Sequence, residues 1–326
     1  MHIALIYSRY EDLVEEAAKL NPHGAVQMKD TVMAIAEGLE ASGHKVTKIE
    51  ATNALLSTLH DIETPDVIFN LSAGITNKRS QANIVGMLEM TGIPFVGSGL
   101  STHVLGLHKE ITKILLRENG VRTAKSQLFT DGDEEIRDDF VYPVMVKPEH
   151  EGSSVGVTDD SKVESKEELR AIVKEKMEIY NQVILVEEFL PGREFTMGVM
   201  GNLELEVLPI KEYLFEKGGE FEFLTVGAKA DDLVPSKIPA DIPIELKEEM
   251  EEMAKRAFRA LRCQDLARID FRLDSEGRPN VIELNTLPGM QKGYSDFPMT
   301  AEAAGYSYEE LLNKLVNFAL SPRGKQ

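Results

Sequence analysis

Short apolar segments alternate with helical segments over the first part of the chain, and this order strongly limits the fold of that region. Strands are predicted at 2–7, 45–49, 66–70 and 93–96, and amphipathic helices at 28–42 and 81–91. The two helices end before Gly43 and Gly92, as helices commonly do. Strands that alternate with helices in this way indicate an α/β unit with a largely parallel sheet.

The rest of the chain carries two further sets of mixed elements. Helices are predicted at 104–119, 165–180, 243–261 and 307–320. Short strands are predicted at 126–129, 144–147, 155–157, 183–187 and between 194 and 209. We therefore expect an α/β protein of three domains. They are an N-terminal α/β domain with a mostly parallel sheet at 1–104, a small central α+β domain at 105–190, and a C-terminal α+β domain with an antiparallel sheet at 191–326.

The stretch ARIDFRLDSEGRPNVIELNTLPGM, residues 267–290, predicts a hairpin with a row of polar side chains. Because side chains alternate between the faces of a strand, the polar residues fall together: Arg268, Asp270, Glu283 and Asn285. The apolar residues of the opposite face are expected in the core: Ile269, Phe271, Ile282 and Leu284. Two interpretations of the polar row stay open at this point, a solvated sheet face or a Mg²⁺ site built from carboxylate and amide oxygens.

Composition excludes several classes of protein. The chain has 326 residues and a formal net charge of −19, which makes a general nucleic-acid-binding role unexpected. Its single cysteine, Cys263, excludes an internal disulfide and a cysteine-based zinc cluster. The N-terminal segment resembles a first strand more than a signal peptide, and no apolar run reaches the length of a membrane span. We expect a cytoplasmic protein with no membrane partner.

Two further stretches carry polar groups next to predicted strands. In VMVKPEHEGSSVGV, residues 144–157, a strand delivers Lys147 to a loop of small residues, a combination suited to phosphate. In VILVEEFLPGREF, residues 183–195, an apolar strand ends in Glu187 and Glu188, which could bind a nucleoside. Each stretch alone is equally typical of an ordinary turn or strand end.

Taken in order, these stretches resemble the ATP-grasp enzymes, and within them the D-alanine–D-alanine ligase family. The resemblance covers most of the chain. It is carried by FNLSAG (69–74), MLEMTGIPFVGSG (87–99), LGLHKEITK (105–113), KPEHEGSSVGV (147–157), EEFLPGREF (187–195), RIDFRLD (268–274), ELNTLPGM (283–290) and SDFPMTAEAAG (295–305). It implies an ATP-grasp fold.

The resemblance also implies a nucleotide site. Two lysines would hold the ATP phosphates, and they match Lys109 and Lys147. The residues matching the adenine and ribose contacts are Glu187, Glu188, Phe189, Leu190 and Glu194. Ser153 and Ser154 match a flexible loop that closes over the phosphates, with Ser153 also assigned to catalysis.

The metal and acceptor sites follow from the same resemblance. Two Mg²⁺ ions, with Mn²⁺ as an alternative, would be held by Asp270, Glu283 and Asn285. Arg268 matches the arginine that steadies the transferred phosphate. Gly289 and Ser295 match the pocket for the second substrate's carboxylate.

The chain departs from the family pattern where the first substrate would bind. The family's opening glycine-rich loop is replaced by YSRYEDLVEE (7–16), in which Glu11 is the candidate substrate contact. The lysine–tyrosine pair of the covering loop becomes Lys229 followed by alanine, so only the lysine remains as a catalytic candidate. A one-residue insertion after Gly289 makes Tyr294 an alternative to Ser295. Arg79 is a further candidate for binding an acidic group, although a solvated loop arginine is an equally good interpretation.

These features favour an ATP-dependent carboxylate–amine ligase that joins two amino acids through an acyl phosphate. D-alanyl-D-alanine formation for the cell wall is the family default, and a biosynthetic ligase for another pair is the first alternative. An ATP-grasp kinase and a non-catalytic ATP-binding protein are further alternatives. The expected partners are ATP and small amino-acid substrates. Members of the family are commonly dimers, so the resemblance makes a homodimer one candidate assembly, while the sequence itself does not determine the oligomeric state.

Overall fold

The computed structural model describes residues 1–8, 24–74, 80–152, 155–215, 222–225 and 233–321. Within these ranges the chain forms three sheets that follow one another along the sequence. None of the described helices has the length and apolar character needed to cross a membrane.

The first sheet is parallel throughout, as the alternation of strands and helices predicts. Its strands, in the order β2–β1–β3–β4, are β1 (His2–Tyr7), β2 (Lys45–Glu50), β3 (Val67–Asn70) and β4 (Phe95–Val96). The helices of this region are α1 (Gly24–Ala41), α2 (Leu55–Asp61) and α3 (Gln81–Thr91). Helix α3 ends at Gly92, whose φ of 68° is left-handed and suits glycine.

Strand β1 is apolar along its length because both faces of the sheet are covered. Ile3 and Leu5 lie in one hydrophobic core, and Ala4 and Ile6 lie in the core on the other side. The first of these cores also contains residues of the last helix, at 308–319. The C-terminal end of the described chain therefore packs back onto the first sheet.

The second sheet is antiparallel, in the order β5–β8–β6–β7. Its strands are β5 (Ser126–Phe129), β6 (Val144–Pro148), β7 (Lys162–Val163) and β8 (Ile184–Glu188). The helices of this part of the chain are α4 (Leu100–Leu107), α5 (Lys109–Glu118) and α6 (Lys166–Tyr180). Strand β6 pairs Met145 with Glu187 of β8, so the strand that carries Lys147 lies beside the acidic strand end.

The third sheet holds the predicted hairpin. Its main path is β12–β11–β9–β13–β14, with β10 paired to β9, and all its pairs are antiparallel. The strands are β9 (Glu194–Gly201), β10 (Leu205–Val207), β11 (Lys211–Tyr213), β12 (Ser236–Lys237), β13 (Asp265–Leu273) and β14 (Pro279–Asn285). The helices are α7 (Ile244–Ala260), α8 (Asp296–Ala303) and α9 (Tyr308–Leu320).

Some element predictions were wrong in detail. The helix expected at 104–119 is two helices, α4 and α5, because His108 between them has extended backbone angles (φ −96°, ψ 92°). The strand expected at 155–157 is not formed, since Gly156 has a φ of 78° that an extended strand does not contain. Helices α2 and α8 were not expected. The three-domain division at 104/105 and 190/191 stays a prediction.

Candidate active site

A cleft between the second and third sheets collects most of the predicted nucleotide residues. It has about 870 Å³ of empty space, which opens to solvent. The predicted residues that line it are Lys109, Lys147, Glu187, Glu188, Phe189, Leu190, Glu194, Asp270 and Glu283. Residues separated by more than a hundred positions in sequence thus line one concave cleft, and small ligands usually bind in such clefts.

One end of the cleft is apolar and aromatic. Phe189 and Phe223 meet edge to face, with ring centroids 6.1 Å apart, and Leu190 and Leu224 also line this end. The guanidinium of Arg272 lies 4.8 Å from the Phe189 ring centroid. A flat aromatic ligand such as a purine fits between such walls.

Arg272 also fixes a predicted ribose contact. Its Nη1 lies 3.1 Å from Oε2 of Glu194, and both side chains are buried. The Arg272 side chain also donates to the backbone oxygen of Glu222 at 2.6 Å. Glu194 is therefore held in place at the edge of the cleft.

The lysines lie at the other end of the cleft around a buried carboxylate. Glu187 is bound on one side by Lys147 and on the other by Lys113, whose Nζ lies 2.8 Å from Oε2. Burial raises the pKa of Glu187, but the two ammonium groups outweigh it and hold that pKa at about 2. Glu187 was predicted to contact adenine and ribose. Its two ion pairs instead favour a role in which Glu187 positions the ammonium group of Lys147.

Lys109 lies between the loop that follows β6 and the predicted metal ligands. Its Nζ lies 3.5 Å from Oε1 of Glu283 and donates to the backbone oxygen of Glu149 at 3.3 Å. It also donates to the backbone oxygen of Glu151. An ammonium group at this position faces both the loop after β6 and the hairpin.

The polar row of the hairpin shares one face, as the alternation predicts. Asp270 pairs across the strands with Glu283, and Arg268 pairs with Asn285. Arg268 donates two hydrogen bonds to Asp270, at 2.9 and 2.8 Å, and Asn285 Nδ2 donates to Asp270 at 3.0 Å. Two carboxylates and an amide on neighbouring positions form a hard-oxygen donor set, and this set fits Mg²⁺.

One apolar assignment in the hairpin was wrong. The register shifts between Asp270 and Phe271, so that Phe271 pairs with Val281 and Ile282 becomes the extra residue of a bulge. Ile282 lines the cleft beside Glu283, whereas Ile269, Phe271 and Leu284 are buried in the core as expected.

The predicted second-substrate residues lie where the chain enters α8. Ser295 packs against Gly289, where an added Cβ would lie 2.7 Å from the Ser295 hydroxyl oxygen. The same oxygen accepts a hydrogen bond from the backbone N–H of Gln291 at 3.0 Å. This contact favours Ser295 over Tyr294 as the group that faces Gly289.

Sequence reasoning missed a buried charge cluster beside Arg268. Asp296 accepts hydrogen bonds from Lys211 at 2.9 Å and from the Tyr213 hydroxyl at 2.8 Å. Its other oxygen lies 3.4 Å from Nη1 of Arg268. Burial disfavours the charged form of Arg268, but Asp270 and Asp296 outweigh it and raise its pKa well above the usual range. Arg268 is thus held between two carboxylates, one of which, Asp296, directly follows Ser295.

Lys113 and Thr196 were also missed. Lys113 follows Lys109 by four positions on α5, a spacing that puts both on one helix face and could have revealed it. Thr196 donates to Asp270 at 2.6 Å, and no sequence signal marked it. Five predicted site residues lie outside the described residues: Glu11, Arg79, Ser153, Ser154 and Lys229.

Known proteins resemble this chain in sequence and in fold. The family model "D-ala D-ala ligase C-terminus" matches residues 113–317. A D-alanine–D-alanine ligase of Acetivibrio thermocellus is 37% identical over 266 residues, covering 78% of this chain and 68% of the relative. A D-alanine–D-alanine ligase of Erythrobacter litoralis is 34% identical over 293 residues, covering 88% of this chain and 86% of the relative.

An uncharacterized protein of Sinorhizobium fredii, y4sG, is 37% identical over 308 residues, covering 91% of this chain and 88% of the relative. Among solved structures, a D-alanine–D-alanine ligase of Bacillus anthracis complexed with ATP has a TM-score of 0.76 at 24% identity, covering 98% of this chain and 97% of that one. The VanG D-Ala:D-Ser ligase of Enterococcus faecalis has a TM-score of 0.76 at 24% identity, covering 98% and 99%.

The structural likeness confirms the expected fold, and the sequence matches confirm the expected family. This chain belongs to the D-alanine–D-alanine ligase family of ATP-grasp enzymes.

Proposed function

We propose that the protein is an ATP-dependent carboxylate–amine ligase that joins two amino acids through an acyl-phosphate intermediate. One observation carries the proposal: a single cleft is lined by apolar and aromatic side chains, by Lys109 and Lys147, and by two carboxylates that the hairpin places beside Asn285 and Arg268. These three kinds of groups suit the base, the phosphates and the metal ions of a bound ATP.

ATP binding is assigned to two parts of the cleft. Phe189, Leu190 and Phe223 would enclose the adenine, and Glu194, fixed by Arg272, would accept hydrogen bonds from the ribose hydroxyls. Lys109 and Lys147 would bind phosphate oxygens. Both ammonium groups are held by protein oxygens, so they are oriented toward the cleft before the nucleotide arrives.

The metal assignment rests on the hairpin. Asp270, Glu283 and Asn285 would hold two Mg²⁺ ions, with Mn²⁺ as an alternative. Bound there, such ions offset the negative charge of the phosphates during phosphoryl transfer.

The first chemical step is phosphoryl transfer to a carboxylate. A carboxylate oxygen of the first amino acid attacks the γ-phosphorus, the bond to the β-phosphate oxygen breaks, and ADP leaves. Arg268 donates to the transferred group, and the two hydrogen bonds that it donates to Asp270 fix the direction of its guanidinium.

The second step forms the amide bond. The amine of the second amino acid attacks the acyl carbon, the bond from that carbon to the phosphate oxygen breaks, and inorganic phosphate leaves while the nitrogen loses a proton. Gly289 and Ser295 would hold the carboxylate of this second substrate. No covalent bond to the protein is needed, so positioning supplies most of the rate enhancement.

A ligase for a pair other than two D-alanines is the second candidate. It is favoured by the altered segment at 7–16, by the alanine after Lys229 and by the residue inserted before Ser295. These departures all fall outside the groups assigned to ATP and metal. They would change substrate choice while leaving activation by ATP intact.

Phosphate release from Mg²⁺-ATP tests the proposal. The protein is incubated with single amino acids and then with pairs, including D-alanine and D-serine, and products are identified by mass spectrometry. A ligase makes one dipeptide for each phosphate released, and two copies of one amino acid, such as D-alanine alone, can serve as the pair. ADP formation with a carboxylic acid but without a dipeptide would instead identify a kinase, and no phosphate release with any amino acid or pair would contradict ligase activity.

Assembly and location also remain proposals. We expect a cytoplasmic homodimer that binds amino acids and ATP. Light scattering of the purified protein at several concentrations measures the assembly, and a monomer mass throughout would contradict the dimer.

A further inference from the structure

Two histidines and a glutamate meet beside the cleft, outside the residues assigned to ATP and Mg²⁺. They are His108, between α4 and α5, and Glu149 and His150, directly after β6. One ligand atom from each lies within 4.8 Å of the other two. The imidazole rings of His108 and His150 meet at 84°, with centroids 4.6 Å apart.

The backbone explains why these side chains converge. His108 separates the two helices and has extended backbone angles. Its side chain therefore does not point in the direction that it would take in a continuous helix. Glu149 and His150 follow Pro148, the last residue of β6, and His150 Nδ1 lies 3.3 Å from the backbone oxygen of Leu107. The chain before α5 and the chain after β6 are therefore in contact at this point.

The buried carboxylate of Glu149 gives an independent indication that this cluster binds a cation. Its side chain is 1% exposed, and its Oε1 accepts a hydrogen bond from the backbone N–H of Glu110 at 3.1 Å. Its Oε2 is buried with no hydrogen-bond partner. A buried carboxylate oxygen without a partner is costly, and burial raises the pKa of Glu149 to about 7. A cation at this oxygen would remove that cost.

The donor types select the class of cation. Two imidazole nitrogens and one carboxylate oxygen suit Zn²⁺ and related transition metals, whereas Mg²⁺ prefers oxygen ligands alone. Ligands at the usual roughly 2.0–2.2 Å from Zn²⁺ lie about 3.3 Å from one another. The ligand atoms, which lie within 4.8 Å of one another, would thus close by up to about 1.5 Å, within the reach of rotamer changes.

We propose that His108, Glu149 and His150 form a binding site for a Zn²⁺-class transition-metal ion, separate from the magnesium ligands of the hairpin. The fourth coordination position is left to water, as in other sites with three protein ligands. The ion ties the start of α5 to the segment after β6.

The position of the site gives the ion a structural consequence. Lys109 directly follows His108, and its ammonium group donates to the backbone oxygens of Glu149 and Glu151. An ion held by both segments fixes Lys109 relative to the loop that begins at Glu149. The metal therefore acts as a positioning element for the phosphate end of the cleft.

Direct Zn²⁺ binding tests this site, whether or not the ligase proposal is correct. Metal-free full-length protein is titrated with Zn²⁺ by calorimetry in excess Mg²⁺, using wild type, His108→Asn and His150→Asn. His60→Asn is the matched control, because His60 is an exposed histidine beside a carboxylate, 3.5 Å from Asp61. Asp270→Asn tests whether Zn²⁺ enters the hairpin site instead.

We expect wild type, His60→Asn and Asp270→Asn to bind a single Zn²⁺ equally tightly. Each of the two site variants should bind roughly a hundredfold more weakly or worse, since outer partners of metal ligands alone are worth about 10- to 100-fold. X-ray absorption of the wild-type Zn²⁺ complex should show two imidazole ligands, a readout that needs no variant to fold. Absence of Zn²⁺ binding, unchanged binding in both site variants, loss of binding in Asp270→Asn, or an all-oxygen shell would each overturn the proposal.

Discussion

At the scale of single residues, the chemistry of the cleft depends on charges that are buried and paired. Lys147 and Glu187 both lie on strands that were predicted, so their position could be read from the sequence. The pairing of Glu187 with Lys113, and the contacts of Asp296 with Arg268 and Lys211, could not be read from it. These contacts join segments far apart in sequence, and nothing local to each residue indicates its partner.

Glu283→Gln tests the metal assignment. The change removes the charge of the carboxylate and keeps nearly the same shape, so the fold should persist while Mg²⁺-dependent turnover falls by at least about a hundredfold. The measurements are kcat at increasing Mg²⁺ and a thermal melt of the variant. Turnover near that of wild type at low Mg²⁺ would count against Glu283 as a ligand.

Lys113→Met tests the buried ion pair with Glu187. Removing one partner leaves a carboxylate buried with a single cation, and the free energy of unfolding should fall by about 3 kcal/mol. Urea unfolding measures this change. The matched control is Lys174→Met, which breaks an exposed pair with Asp133 at 2.7 Å and should change the same free energy far less, because water screens an exposed pair. Equal effects in the two variants would show that burial is not the cause.

At the scale of elements, the hairpin shows what a pattern can and cannot predict. The alternation of polar and apolar residues correctly predicted that Asp270, Glu283 and Asn285 share one face of the hairpin. It did not predict the bulge at Ile282, because Val281 and Ile282 are both apolar and either could be assigned to the core. A helical period over 104–119 likewise did not reveal the break at His108, which requires only one non-helical residue.

Gly198→Ala tests how tightly β9 packs at the centre of the third sheet. An added Cβ would lie 2.6 Å from Leu208 and 2.9 Å from Phe297, so the substitution should lower the free energy of unfolding by about 1–3 kcal/mol. Thermal or urea unfolding measures it.

Gly86→Ala is its control. Gly86 lies inside α3, where the nearest atom to an added Cβ is 3.5 Å away on Leu100. That is an ordinary contact, and alanine favours a helix over glycine by roughly 0.5–1 kcal/mol, so this variant should be slightly more stable. A stabilised Gly198→Ala variant would show that β9 has room that the structure does not contain.

At the scale of the whole molecule, the sequence predicted a mostly parallel first sheet and an antiparallel third sheet, but not the antiparallel pairing of the second sheet or how distant segments meet. The last helix, α9, packs on the first sheet, although the two are at opposite ends of the chain. His103 is buried at a similar junction, between Gln81 and Thr286. Its Nδ1 lies 2.7 Å from Nε2 of Gln81 and 3.1 Å from the hydroxyl oxygen of Thr286. A pattern within one segment carries no information on such contacts.

The His103 junction predicts a loss of stability in mild acid. Burial lowers the pKa of His103 from 6.5 to about 4, so below pH 6.5 the unfolded chain binds a proton that the folded chain resists. The stability that depends on a neutral His103 is fully present above about pH 6.5. It is lost as the pH falls towards 4, by about 3 kcal/mol in total. Urea unfolding across this range should show the loss, and His103→Gln should show a shallower one. Parallel pH curves for the two proteins would contradict the assignment.

The central claim is that a carboxylate is activated by ATP before an amine displaces phosphate, and the path of one oxygen atom tests it most directly. Amino acids labelled with ¹⁸O in the carboxylate are incubated with Mg²⁺-ATP, singly and in pairs, and the released phosphate is analysed by mass spectrometry. Phosphate should appear together with a dipeptide, formed from two different amino acids or from two copies of one, and should carry one labelled oxygen, because the acyl carbon–oxygen bond breaks in the second step. Unlabelled phosphate, or no phosphate from any amino acid or pair in the panel, would contradict the claim.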